Sequence, residues 1–201
     1  GCSKNLIDSE VMGGLAQASG MTMVERPQDA DVVLVNTCGF IGPAKEESLE
    51  VILTMAQIKQ QRGNAMKLIV AGCLAQRYGK ELLGEITEAD LWIGTGEVGR
   101  IAGHLRSLQA ARPKRAVIVS KPDFLMTSRQ ERILPSGAVT AYLKISDGCS
   151  NRCAYCAIPS IRGKARSRRP EDILREAETL VARGVREIIL IGQDTTAYGR
   201  D

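Results

Sequence analysis

DVVLVNTC, residues 31–38, is a short run of β-branched apolar residues that ends in a polar pair and a cysteine. Unbroken apolar character over so few residues suits a strand buried on both faces of a parallel sheet. KLIVAGC (67–73) has the same form and also ends in cysteine, and DLWIG (90–94) and RAVIVS (115–120) read as two more strands. Helical spacing falls between them. Leu6, Ile7, Val11 and Leu15 mark one helix, and Ile52, Leu53, Ala56 and Ile58 lie in another. Leu82, Leu83 and Ile86 mark a third, and Val98, Ile101, Leu105 and Leu108 a fourth. This alternation predicts βαβ units in a doubly wound, flavodoxin-like parallel sheet over residues 1–120.

That sheet gives three cysteines a common address. Cys38 and Cys73 stand at strand ends, and Cys2 directly precedes the first helix, where an earlier strand would end. Parallel strands place their carboxyl ends along one edge, where ligands bind. Cys2, Cys38 and Cys73 are therefore expected to meet, although 36 and 35 residues separate them. Each alone would be read as a small buried hydrophobe; three in one structural position point to a shared site.

The pattern changes at KPDFLMTSRQERILPSG (121–137), which has no clean period and reads as a linker or crossing segment. A second unit, residues 138–201, follows. AVTAYLKIS (138–146) alternates like a strand and leads into a cysteine loop, then PEDILREAETLVARG (170–184) forms a helix and REIILIGQD (186–194) a strand. Pro170 at the opening, Glu171 and Asp172 in the first turn and Gly184 just past the end mark that helix. Strand, loop, helix, strand is the start of a TIM-type β/α barrel, here incomplete. Further βα units are expected after Asp201, and residues are expected before Gly1.

Composition sets the outer limits. The chain has 201 residues, 44% hydrophobic and 25% charged, which is ordinary for a soluble globular protein. No apolar run approaches the roughly 20 residues that span a bilayer, so a cytoplasmic location and no membrane partner are expected. The net charge of +4 permits an acidic or nucleic-acid partner without requiring one. Six cysteines in such a chain argue for metal or redox chemistry over disulfides.

GCSNRCAYC (148–156) holds Cys149, Cys153 and Cys156 in C-x3-C-x2-C spacing, with no fourth cysteine or histidine after it. A structural zinc site wants four ligands, and the single histidine, His104, belongs to a distant helix and is expected at the surface. Three thiolates on one loop suit an iron–sulfur cube with one iron left open. A non-catalytic zinc module is the rival from another class. A flavin-binding reading has little support, because the strand ends offer cysteines in place of phosphate-binding loops.

With Tyr155 just before its last cysteine, this loop resembles the radical S-adenosylmethionine signature. An α/β domain bearing cysteines ahead of such a barrel is similar to the methylthiotransferases, and GCSKNLIDSE, NTCGFI, CAIPSIRG and QDTTAYG resemble their RimO branch. Relatives that modify tRNA typically differ after the first cysteine, have asparagine where Asp194 stands, and follow the loop with Pro-Tyr where this chain has Pro159-Ser160. Ser3 departs from the usual proline, and serine is an acceptable helix N-cap there.

The resemblance implies an enzyme that methylthiolates the β-carbon of an aspartate in ribosomal protein S twelve; the alternative is a tRNA adenosine methylthiotransferase. It implies two 4Fe-4S clusters, one held by Cys2, Cys38 and Cys73 and carrying sulfur, the other held by Cys149, Cys153 and Cys156. S-adenosylmethionine would bind the open iron of the second, and Tyr155, Gln193, Asp194 and Thr195 would contact it. The implied partners are S twelve or the small ribosomal subunit, an electron donor and a sulfur source. An sp3 β-carbon has no hydrogen that a base can remove, so a radical supplied by a cofactor takes it instead. Asn36 and Thr37 read as caps of the following helix. Arg162, Lys164, Arg166, Arg168 and Arg169 read either as a solvated basic loop or as a surface that steers an RNA-rich particle.

Overall fold

A computed structural model describes residues 1–63, 65–110 and 115–201. The first half alternates helix and strand: α1 (Ser3–Ala18), β1 (Val32–Thr37), α2 (Gly42–Gln61), β2 (Lys67–Gly72), α3 (Cys73–Glu85), β3 (Leu91–Ile93), α4 (Ile101–Ala110) and β4 (Ala116–Ile118). The four strands form one sheet in the order β1-β2-β3-β4 with every pair parallel. Strand side chains alternate between faces. Ile69, Ala71, Leu91 and Ile93 pack under α1 and α4 with Ile7, Val11, Ile101 and Leu105. Leu68, Val70 and Trp92 pack on the other face with Ile52, Ala56 and Leu74 of α2 and α3. Both faces are covered, which is why the middles of these strands are apolar on both sides.

Short 3-10 turns at Pro27–Asp29 and Thr95–Arg100 precede β1 and α4. The helical spacing of Val98 with Ile101, Leu105 and Leu108 thus spans a 3-10 turn and an α-helix that share one buried face.

The stretch 121–137 runs as irregular chain and is packed throughout its middle. Met126 is 2% exposed, and the Ile133 amide donates to the Glu10 carbonyl at 3.1 Å.

Beyond it come β5 (Thr140–Lys144), β6 (Ser146–Asp147), α5 (Ile158–Arg162), β7 (Arg166–Ser167), α6 (Pro170–Ala182) and β8 (Glu187–Ile191). β5 and β8 pair in parallel, with Thr140 opposite Glu187 and Lys144 opposite Ile191. α6 buries Leu180 against Ala141, Leu143 and Val185. This is the strand–helix–strand unit that the sequence predicts. The antiparallel pair β6–β7 and the five-residue α5 have no clear periodicity and are not legible in the sequence.

Among the described residues, no helix is long and apolar enough to cross a membrane.

Candidate metal centres and the cleft beside them

Cys2 is the N-cap of α1, Cys38 follows β1, and Cys73 opens α3 directly after β2. Ser3, read from the sequence as an acceptable N-cap, is instead the first helical residue. Side chains stitch these three positions together. Asn36 Nδ2 donates to the Asn5 carbonyl at 2.8 Å and to Ser9 Oγ at 2.9 Å, and Asn5 Nδ2 donates to the Thr37 carbonyl at 3.2 Å. Thr37 Oγ1 donates to the Ala71 carbonyl at 2.6 Å. Asn36 and Thr37 thus fasten β1 to α1 and β2. They do not cap α2, whose N-cap is Ile41.

The Cys38 amide donates to Ser48 Oγ at 3.0 Å, and Arg77 of α3 donates to the Gly39 carbonyl at 2.7 Å. Gly72 has φ +97°, and a Cβ there would run into Asn36 Oδ1 and the Thr37 carbonyl. Only glycine lets β2 turn this closely past β1 into Cys73.

Cys73 is buried, and burial pushes its thiol up; the Arg162 guanidinium pulls it down, while the Asp8 carboxylate and Cys2 add to the rise. Among the described residues, no three Cys, His, Asp or Glu side chains converge tightly enough to hold a single metal ion. The donor chemistry suits a larger group. These are thiols, one from each of three segments along one sheet edge, and cysteines of an iron–sulfur cube bind separate irons.

The second trio lies on one loop. The Cys149 amide donates to the Gly163 carbonyl at 3.0 Å, and the Cys156 amide to the Cys153 carbonyl at 3.0 Å. Gly148 has φ +77°, and a Cβ there would meet the Lys164 carbonyl. Cys153 is exposed, Cys149 and Cys156 half-buried. Three thiols on a loop tied at both ends, open to solvent between the ties, fit the same kind of cluster.

A cleft of about 100 Å³ beside this loop is lined in part by Gly148, Cys149, Asn151 and Asp194. Asp194 accepts from Asn151 Nδ2 at 3.1 Å, and its bond from the Thr196 hydroxyl, with that from Asn151, holds its carboxyl below the usual range. Gln193 Nε2 donates to Asp147 at 3.0 Å, while its Oε1 is buried with no hydrogen-bond partner among the described residues. Gln193, Asp194 and Thr195 lie just past the end of β8, with Thr195 opening a 3-10 turn. Tyr155 is 88% exposed. The structure thus places Asp194 and Cys149 on one cleft, links Gln193 to the start of the cysteine loop through Asp147 and Gly148, and leaves Tyr155 in solvent.

Sequence reasoning missed the ions between the two trios. Lys144 Nζ donates to Asp8 at 2.6 Å and to Asp147 at 3.1 Å. Arg162 reaches Asp8 at 2.7 Å, Asp147 at 3.2 Å and Cys73 Sγ at 3.8 Å. Burial opposes both cations, but the two carboxylates outweigh it and raise Lys144 and Arg162. Asp147 is likewise held far below the carboxylate range against burial, by Lys144 and Arg162.

The basic run changes meaning accordingly. Arg162 and Arg168 are buried and ion-paired, Arg166 is half-buried and donates to the Arg162 carbonyl at 2.7 Å, and Lys164 and Arg169 are exposed. His104, expected at the surface, instead pairs through Nε2 with buried Glu97 at 2.9 Å. Asp8, three residues before Val11 and so on the buried side of α1, was the available signal.

A cysteine-bearing parallel α/β sheet joined to a three-cysteine loop and a βαβ unit defines a two-part radical S-adenosylmethionine protein. Residues 1–94 match the family model described as uncharacterized protein family UPF0004, and residues 143–201 match the radical SAM superfamily. The chain is similar over its whole length to proteins named ribosomal protein uS12 methylthiotransferase RimO. Identity is 57% to that of Syntrophus aciditrophicus, 51% to that of Desulforamulus reducens and 49% to that of Heliobacterium modesticaldum. It covers 45%, 45% and 43% of these relatives, so it spans less than half of their length. The chain belongs to the radical S-adenosylmethionine methylthiotransferase family, in its RimO branch.

Proposed function

We propose that the protein containing this chain methylthiolates the β-carbon of an aspartate in ribosomal protein S twelve, in the cytoplasm, using two 4Fe-4S clusters and S-adenosylmethionine. The observation that carries this reading is the pairing of two thiol trios within one packed unit, in a chain similar throughout to RimO proteins. Cys149, Cys153 and Cys156 would hold one cluster, and Cys2, Cys38 and Cys73 the other. When bound, the first supplies with S-adenosylmethionine a carbon radical able to take a hydrogen atom, and the second holds the sulfur to be delivered.

The chain's own residues orient these groups. Gly148 and Gly163 fix the loop, Asn151 holds Asp194 at the rim of the cleft, and Gln193 presents an unpaired oxygen beside it. Asn36 and Thr37 hold the sheet edge that carries the other trio.

Mass spectrometry of S twelve and of tRNA, from cells with and without the gene, tests the substrate. Loss of a methylthio mark on the S twelve aspartate is expected; loss of a tRNA mark alone overturns the assignment. Metal analysis of the full-length protein, reconstituted without oxygen, should give up to about eight irons per chain. Stoichiometric zinc with little iron would refute the enzyme reading.

A further inference from the structure

Arg162 occupies the junction between the two trios. It ends α5, the helix that follows the loop cysteines, and the next residue's carbonyl accepts from Cys149. Its guanidinium points the other way, across to the first half. There Nη2 lies 2.7 Å from Asp8 Oδ2 and 3.8 Å from Cys73 Sγ, and the side chain is 4% exposed. Asp8 and Asp147 already have Lys144 between them. A ligating Cys73 thiolate adds a third anion, and Arg162 is the cation in contact with it.

Resting on the two-cluster reading, we infer that Arg162 is a positioning residue that reaches across from the radical-generating half and sets the reduction potential of the cluster held by Cys2, Cys38 and Cys73. Hydrogen bonds to sulfur and net local charge are the levers that set such potentials. A permanent positive charge donating to a ligand sulfur stabilises the reduced, more negative cluster. Asp8, on the far side of the same guanidinium, works against it. The potential is thus set by a residue of one half acting on a ligand of the other.

The test uses full-length protein with Cys149, Cys153 and Cys156 all replaced by alanine, so that one cluster remains. In an EPR-monitored titration, dithionite supplies one electron to that cluster, and no bond forms or breaks. Arg162→Met should lower the reduction equilibrium constant about tenfold, which is a shift of about 59 mV to lower potential for one electron. Arg162→Lys, which keeps the charge and loses the planar donor, should fall between Met and the parent. Asp8→Asn should move the midpoint in the opposite direction, upward. A merely structural role does not produce opposite shifts from two neighbours.

Iron bound at the parent level in Arg162→Met with an unmoved midpoint overturns the inference alone. No iron in the parent, with Arg162 intact, overturns the two-cluster reading and the inference with it. If Arg162→Met yields no folded protein, the other two decide: a midpoint in Asp8→Asn that stays or falls, or in Arg162→Lys that stays at the parent value, overturns the inference.

Discussion

Cys38 and Cys153 sit in different halves and should fail differently when replaced. Cys153→Ala should abolish reductive cleavage of S-adenosylmethionine, followed as release of 5′-deoxyadenosine. Cys38→Ala should keep that cleavage and lose sulfur transfer; normal transfer in this variant would end the proposed division of labour. Asp172 makes a pH prediction. Burial alone would raise its carboxyl, but the Ser128 amide, the Arg168 guanidinium and the Ser128 hydroxyl together hold it below the usual range. A depressed carboxylate stabilises the fold above its unfolded value, about 3.9, and that stability is lost as pH falls through the lower folded value. Asp172→Asn should cost about 1.5–3 kcal/mol near neutrality and flatten the acid limb of a circular-dichroism titration.

At the scale of elements, the strand ends were the most legible feature. Unbroken apolar runs ending in Cys38 and Cys73 give both the parallel sheet and the edge on which those cysteines lie. The short elements were not legible, because α5, β6 and β7 are too brief to show a period. Their positions are set by partners distant in sequence, such as Thr95, whose Oγ1 donates to the Ile161 carbonyl at 2.5 Å. The loop between β6 and α5 depends on Gly148, at a φ that L side chains rarely adopt. Gly148→Ala should leave the first sheet folded and cut the iron content of the full-length protein by about four irons per chain.

Across the whole molecule, the two halves meet through buried ions, and this was the part hidden from a linear reading. Arg132, in the irregular crossing stretch, donates to Glu10 of α1 at 2.9 and 2.5 Å and to Glu176 of α6 at 2.5 Å. Arg168 binds Glu176 at 2.5 Å and Asp172 at 2.6 Å. Charges in a loop and on helices read as surface in a sequence; these were buried because their partners arrive from as far as 122 residues away. Arg132→Ala leaves Glu10 and Glu176 without that partner, a loss of about 3–5 kcal/mol. In urea, the variant should unfold at lower concentration than the parent chain. Its single tryptophan, Trp92, lies in the first sheet, and its fluorescence should separate from the overall circular-dichroism transition.

Two buried carboxylates of α1, Asp8 and Glu10, are each neutralised by cations from beyond residue 130. Swinging the halves apart would strip Asp8 and Glu10 of these cations, at several kcal/mol for each broken pair. The joint is stiff for that reason. On the proposed two-cluster reading, a group passing between the thiol-lined sites would cross a seam that these ion pairs hold closed.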